Sequence, residues 1–426
     1  MAAKDLRKYS FGLGDRFAHQ AEAQLQAVRL AAEAGHIITP VWNKSYREHL
    51  IVGSKPEEVR KAAQQAVEKL KWPYGYFVDA DHIHLGNVDF FLESSDYFTL
   101  DVTEFIGKKS TPSKTEAFIR KNRKFLGELQ ASALKVPVWL HEKDLQSVAD
   151  RYLMPVEQAG KIFRHILERK GSDSFIVEIS FDETLHAQTP AEMFFILSAL
   201  ADEEIPVRVI APKFVGHFFK GIDYRGNPER FRLAFEQHLA VLQRAVQEFA
   251  LPDTLKLSVH TGSDKFSLYP LMHKELQKFN AGLHLKTAGT TWLEELIGLA
   301  EAGEDGLTIA KQIYREALKR LNELSRPYRT VIAIETKKLP RAEEVALWNG
   351  ETFAAALRHN VSDSRYNPAL RQLLHVGYKI AAEMGRRFTE ALEKYASVIG
   401  PKVTANIFQR HLLPLFIGEK QTKNFP

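Results

Sequence analysis

Residues 255–290, LKLSVHTGSDKFSLYPLMHKELQKFNAGLHLKTAGT, read as one strand–helix–strand unit. An apolar run at 255–259 gives way to small and polar residues, a helical pattern covers 268–279, and a second apolar run opens at 283–285. Neither run alternates cleanly, which suits strands buried on both faces. Two such strands joined by a helix lie parallel, with a right-handed crossover. Strand–helix alternation extends upstream. Further apolar or β-branched runs at 9–12, 37–42, 76–79, 97–101, 175–181 and 207–211 bring the number to eight, with helical patterns at 21–34, 55–71, 189–203 and 228–249 between them. Pro190 in a first turn and Asn227-Pro228-Glu229 mark two helix starts. Eight strands in this order favour an α/β fold of the (β/α)8 TIM-type barrel over an open doubly wound sheet.

Two stretches break the alternation. Residues 105–172, after the fourth strand, carry helical patterns at 114–134, 143–153 and 155–169. Residues 291–426 are mostly helical, with one apolar run at 330–335. The expected organisation is a catalytic barrel over 1–290 that includes the helical insertion 105–172, and a helical C-terminal extension over 291–426 packed on it.

Composition narrows the function classes. None of the 426 residues is cysteine, which excludes thiol catalysis, disulfides and Cys-ligated metal centres. The 58 Lys+Arg and 53 Asp+Glu leave a net charge of +5, with the two signs interspersed. The short basic stretches at 119–124 and 420–423 read as a solvated helix face and a tail, so no nucleic-acid partner is expected. The N-terminus lacks an apolar targeting segment and no run is long enough to span a membrane. The expectation is a cytoplasmic protein with no membrane partner; a homo-oligomer stays possible. Gly12-Leu-Gly14 lacks the third glycine of a dinucleotide fingerprint, and there is no P-loop.

Barrels of this kind place their chemistry at the C-terminal ends of the strands. Ionisable groups crowd there: Asp15 and Arg16, Lys44, Asp79 with Asp81 and His82, Asp101, Asp182 with Glu183, Lys213, then His260, Ser263, Asp264 and Lys265, and finally His284 and Lys286. His82, His260 and His284 come from three strands and could together hold one divalent ion. Imidazole nitrogen with carboxylate oxygen suits Zn, Mn, Ni, Co or Fe rather than Ca or Mg. Asp81 beside a ligand and Glu183 on another strand offer an acid and a base across a bound substrate. Asp15, Arg16, Lys44, Lys213, Ser263, Asp264, Lys265 and Lys286 are the expected substrate contacts. Thr261-Gly262-Ser263 and Thr287-Ala288-Gly289-Thr290 offer backbone N–H groups to a phosphate or a carboxylate. Structural roles compete: Asp15, Asp101 and Asp182 as caps or as partners of Arg16 or a lysine, and His375 as a residue packed between helices.

The stretches FGLGDR (11–16), DADH (79–82), SFDET (180–184), KGIDYRG (220–226), LSVHTGSDKFSLYP (257–270), LHLKTAGTTWLE (283–294) and RQLLHVGY (371–378) resemble the tagaturonate epimerase family. The resemblance implies a metal-dependent isomerase that inverts C4 of a ketouronate or ketose of the tagaturonate/fructuronate type. It puts the metal on His82, His260 and His284, the proton acceptor on Asp81 and the proton donor on Glu183. Two departures fall at the pocket rim: Lys213 stands where the family pattern has Arg, and 83–105 differ from its charged loop. An aldolase or isomerase of another sugar or sugar phosphate, and a carbohydrate-binding protein without turnover, are the competing readings.

Overall fold

The structure is a computed structural model that describes residues 6–130, 134, 136–171, 175–287 and 289–418. The basic stretch at 420–423 and Ala288 of the second small-residue loop lie outside the described residues. Its strands are β1 (Tyr9–Gly14), β2 (Thr39–Ser45), β3 (Phe77–Ile83), β4 (Tyr97–Asp101), the short β5 (Gly127–Leu129) and β6 (Val138–Leu140), then β7 (Ile176–Ser180), β8 (Val209–Ala211), β9 (Lys256–His260) and β10 (Leu283–Thr287). Eight of them close in the order β1-β2-β3-β4-β7-β8-β9-β10, every neighbouring pair parallel and β10 returning to β1. This is the (β/α)8 TIM-type barrel that the apolar runs predict. β7 and β10 are buried at every position because helices cover the outside while side chains fill the inside.

Local signals set the helix starts. Thr189 accepts from the Glu192 N–H, and the Glu192 carboxylate accepts from the Thr189 N–H, opening Pro190–Asp202 with Pro190 in its first turn. The Asn227 side chain accepts from the N–H groups of Glu229 and Arg230 at the start of Pro228–Phe249. Gly12 has a packing reason. A Cβ there would meet Lys286 Cγ at 3.0 Å, so glycine lets the lysine side chain enter the barrel beside β1.

Between β4 and β7 the chain is less helical than its pattern. The helix expected over 114–134 runs only over Pro112–Asn122 and passes through a 3-10 turn into the antiparallel β5–β6 hairpin. Asn122 ends it by turning its side chain inward. The side chain donates to the Phe118 carbonyl and accepts from Ser198 on Pro190–Asp202. Glu142–Arg151 and Leu153–Lys170 are helical as the pattern suggests. The apolar run at 330–335 forms no strand; Val331 and Ala333 bond instead to Lys220 N–H and the Gln372 side chain.

The barrel's eighth helix, Thr290–Ala302, begins at residue 290 and packs against Glu304–Lys319, Gly350–Leu357 and Ala396–Ala405. Ala396–Ala405 and the wide helical segment Asn406–Ile417 pack in turn on the first barrel helix, Ala21–Glu33. The helical C-terminal region thus covers one flank of the barrel. Among the described residues no helix is long and apolar enough to cross a membrane.

Candidate active site

Lys286 organises the floor of the site. Its Nζ donates to Asp79 Oδ2 (2.8 Å), Asp81 Oδ1 (3.0 Å) and Thr99 Oγ1 (2.8 Å), and lies 3.6 Å from Glu178 Oε2. All five residues are buried. Burial alone would discharge the lysine, but Asp79, Asp81 and Glu178 hold its pKa well above the ordinary value. Asp79 is pushed up to about 7 by burial, against the pull of Lys286. Asp81 faces the same burial, yet Lys286 and His82 outweigh it and hold its carboxyl far below the usual range. Two carboxylates two residues apart are therefore driven in opposite directions.

Above this floor lies a cluster of imidazoles and carboxylates. The β3–β4 register shifts between Ala80 and Ile83, and His82 within that irregularity takes a left-handed backbone, φ 55. Such strain in a non-glycine residue persists where surrounding contacts hold it. Here His82 Nδ1 bonds Asp81 Oδ1 at 2.8 Å, and Nε2 lies 3.3 Å from Asp182 Oδ1. His260 donates from Nδ1 to Asp182 Oδ2 (2.9 Å) and from Nε2 to Glu178 Oε1 (2.6 Å). Burial would lower the His260 pKa, but Asp182 and Glu178 hold it up to about 9 despite the Lys286 charge.

Donor atoms of His82, Asp182 and His260 all lie within 4.8 Å of one another. Two imidazoles and a carboxylate from three strand ends form a donor set suited to a divalent transition metal. Asp81 bonds His82 and Glu178 bonds His260 from behind, the places that outer carboxylates would take around an ion held by these rings. The residues fit such an ion, which would take the place of protons now shared among the rings and acids.

His284 stands apart from this group. In the register of β10, His284 pairs with Ser258 and Ser10, whereas Lys286 pairs with His260. His284 is thus one layer deeper in the barrel, with Nδ1 2.8 Å from Ser10 Oγ and its ring 5.5 Å from that of Tyr97. Burial pushes its pKa down to about 3, which keeps it neutral. Glu183 is exposed on the turn after β7. Lys213, beyond β8, donates to the Thr184 carbonyl of that turn.

Several expected substrate contacts have protein partners. Asp15 accepts from the N–H groups of Phe17 and Gln20, ahead of the first helix. Arg16 pairs with Glu48 (3.1 Å), donates to the His375 carbonyl and lies over the Tyr378 ring. Lys44 Nζ donates to the Arg16 carbonyl and to Ser54 Oγ, each at 2.6 Å. Ser263 Oγ accepts from the Gly221 N–H. Asp264 is bound by Arg371, Thr290 and His359. Lys265 is enclosed by carbonyls, including those of Phe219 and Ile222, and burial lowers its pKa to about 7. Asp101 accepts from the Thr103 N–H in a turn. His375 packs its Nε2 against the Gly262 carbonyl at 3.2 Å. The sequence reading missed the contribution of Glu178, whose only signal was a charge inside the apolar run FIVEIS.

A family model described as UxaE, tagaturonate epimerase, matches residues 2–395. The tagaturonate/fructuronate epimerase of Thermotoga maritima is 27% identical over 419 residues, spanning 95% of this chain and 80% of the relative. Two crystal structures of the fructuronate-tagaturonate epimerase UxaE from Cohnella laeviribosi, one with glycerol and one native, share the fold, with TM-scores of 0.78 and 0.76. Both are 24% identical, and the match covers 96% of this chain and 81% of theirs. With the family match running from the first barrel strand through most of the helical extension, the chain belongs to the tagaturonate epimerase family and is a carbohydrate epimerase, an isomerase.

Proposed function

We propose that this chain interconverts tagaturonate and fructuronate by inverting C4, with one divalent transition-metal ion (Zn, Mn, Ni, Co or Fe) held by His82, Asp182 and His260. The observation that carries the metal reading is the convergence of those three donors within 4.8 Å on strand ends of one barrel. When bound, such an ion supplies Lewis-acid polarisation and a template for neighbouring oxygens of the sugar.

The chain's own residues then handle the protons. C4 of a 2-ketose is not adjacent to the carbonyl, so simple enolisation does not acidify its hydrogen. Asp81, ionised and placed at the strand end beside His82 and Lys286, is the carboxylate positioned to take the C4 hydroxyl proton. The C4–O bond then becomes a carbonyl as C3–C4 breaks, and its electron pair passes to C3 and the C2 carbonyl. Re-formation of C3–C4 on the other face of the aldehyde inverts C4. In the alternative route, Asp81 takes the proton from C4 directly and Glu183 returns one from the opposite side. In deuterated water the direct route brings deuterium to C4, whereas cleavage and reclosure leave C4 protiated.

The deciding experiment is turnover of both uronates by protein stripped of metal and refilled with each ion in turn, beside His260→Ala. Metal-dependent interconversion that disappears in the variant is the expected outcome. Tight metal binding with neither uronate reacting would overturn the substrate assignment.

A further inference from the structure

Among the described residues, the cations of the candidate site are engaged by oxygen, with one exception. Arg16 has Glu48, Lys44 has Ser54 and a carbonyl, Lys213 and Lys265 have carbonyls, and Lys286 has three carboxylates. Lys220, the first residue of KGIDYRG, is half-buried, yet its ammonium has no carboxylate within ion-pair distance among the described residues. Its side-chain neighbour is an aromatic face, the Tyr328 ring at 5.8 Å. The backbone is fixed: Lys220 N–H donates to the Val331 carbonyl at 2.8 Å, tying this loop to the C-terminal extension.

The position of that ammonium matters. Gly262 has φ +65 and no side chain, and a Cβ there would lie 3.6 Å from Lys220 Nζ. Gly262 follows the candidate ligand His260 by two residues, a chain span of at most ~7 Å. The ammonium thus stands beside the loop by which the chain leaves the candidate ligand His260. His375, buried against the Gly262 carbonyl, is held neutral by burial and then by the charges of Arg16 and Lys220. Its Nδ1 has no partner among the described residues.

We propose that Lys220 receives the carboxylate of the sugar acid and thereby sets the preference of this site for acidic over neutral ketoses. This rests on the epimerase reading, which supplies a substrate with its carbonyl at C2 and a carboxylate at C6. A partly desolvated ammonium without a counter-ion gains a charge-assisted hydrogen bond when that carboxylate arrives. The bond is made to the C6 carboxylate, which carries no part of the C3–C4 bond change and is held alike in ground and transition states, so it belongs to binding rather than to the chemical step.

The test is steady-state kinetics with fructuronate for the metal-loaded parent, Lys220→Met and Lys220→Arg, with thermal melting of each. The expected result is a KM raised on the order of 100-fold in Lys220→Met, little change in kcat, and substantial recovery in Lys220→Arg. An unchanged KM overturns the proposal. So does a fall in kcat and melting temperature that arginine does not repair, since that pattern marks a structural role. A parent enzyme inactive on both uronates overturns the epimerase reading and this proposal together. An active parent with an indifferent Lys220→Met removes only the carboxylate assignment.

Discussion

Arg371 of the C-terminal extension donates from Nη2 to Asp264 Oδ2 at 2.5 Å, across the seam between extension and barrel, with both side chains fully buried. Asp264 also accepts from Thr290 and lies 3.1 Å from His359, while Arg371 Nε donates to the Gly221 carbonyl. This one pair joins the loop after His260, the KGIDYRG loop, the start of the barrel's eighth helix and the extension's helix Pro368–Val376.

Breaking that pair strands a buried charge. Arg371→Met should lower unfolding stability by about 3–5 kcal/mol, and Asp264→Leu combined with Arg371→Met should recover part of it. Urea denaturation of the two variants measures both. A loss below about 1 kcal/mol in the single variant would mean that the carboxylate finds another partner.

Lys286→Met should move the acid limb of the kcat/KM–pH profile upward. Burial raises the pKa of Asp81, and Lys286 is the strongest influence lowering it. Without the lysine, Asp81 protonates at higher pH and a base needed in its ionised form is lost earlier as the solution is acidified. An unmoved limb would show that another group controls it.

Metal affinity should separate the histidines. His260→Ala and Asp182→Asn remove donors from the converging group and should weaken ion binding about 100-fold or more, whereas His284→Ala should cost less than about tenfold. Calorimetric titration of the metal-stripped protein distinguishes these. An equal loss in all three variants would bring His284 into the ligand set.

Stability should fall in mild acid through His238. Burial lowers its pKa from 6.5 to about 4, and its Nδ1 is 2.7 Å from the Ala234 carbonyl oxygen. The unfolded chain therefore binds a proton near pH 6.5 that the folded chain refuses until about pH 4. This contribution is intact above pH 6.5 and is lost as pH drops towards 4, by up to roughly 3 kcal/mol. Denaturation midpoints at both pH values for the parent and His238→Gln should show a smaller acid loss in the variant.

Some of this protein was legible in its residues alone. Eight apolar runs buried on both faces, spaced by capped helices, admit few packings, and the closed parallel barrel is among them. Once strand ends are recognised, Asp79, Asp81, His82, Asp182, His260 and Lys286 follow as neighbours, because barrel geometry gathers strand termini whatever their separation in sequence.

What remained hidden depended on register and on rotamer. Asp182 rather than His284 joins His82 and His260 because closure of the sheet sets β10 so that Lys286, two residues later, is level with His260. A shift of two residues keeps a side chain on the same face and changes only its depth, so alternation of apolar residues cannot reveal it. The termination of the helix at Asn122 likewise required Ser198, 76 residues away. Charges within the sequence carry no label for paired or free. Packing of the extension on the barrel consumes Asp264, the carbonyls of 219–222 enclose Lys265, and among the described residues no carboxylate reaches Lys220, because pairing is decided by distances of a few ångströms that close when distant segments meet.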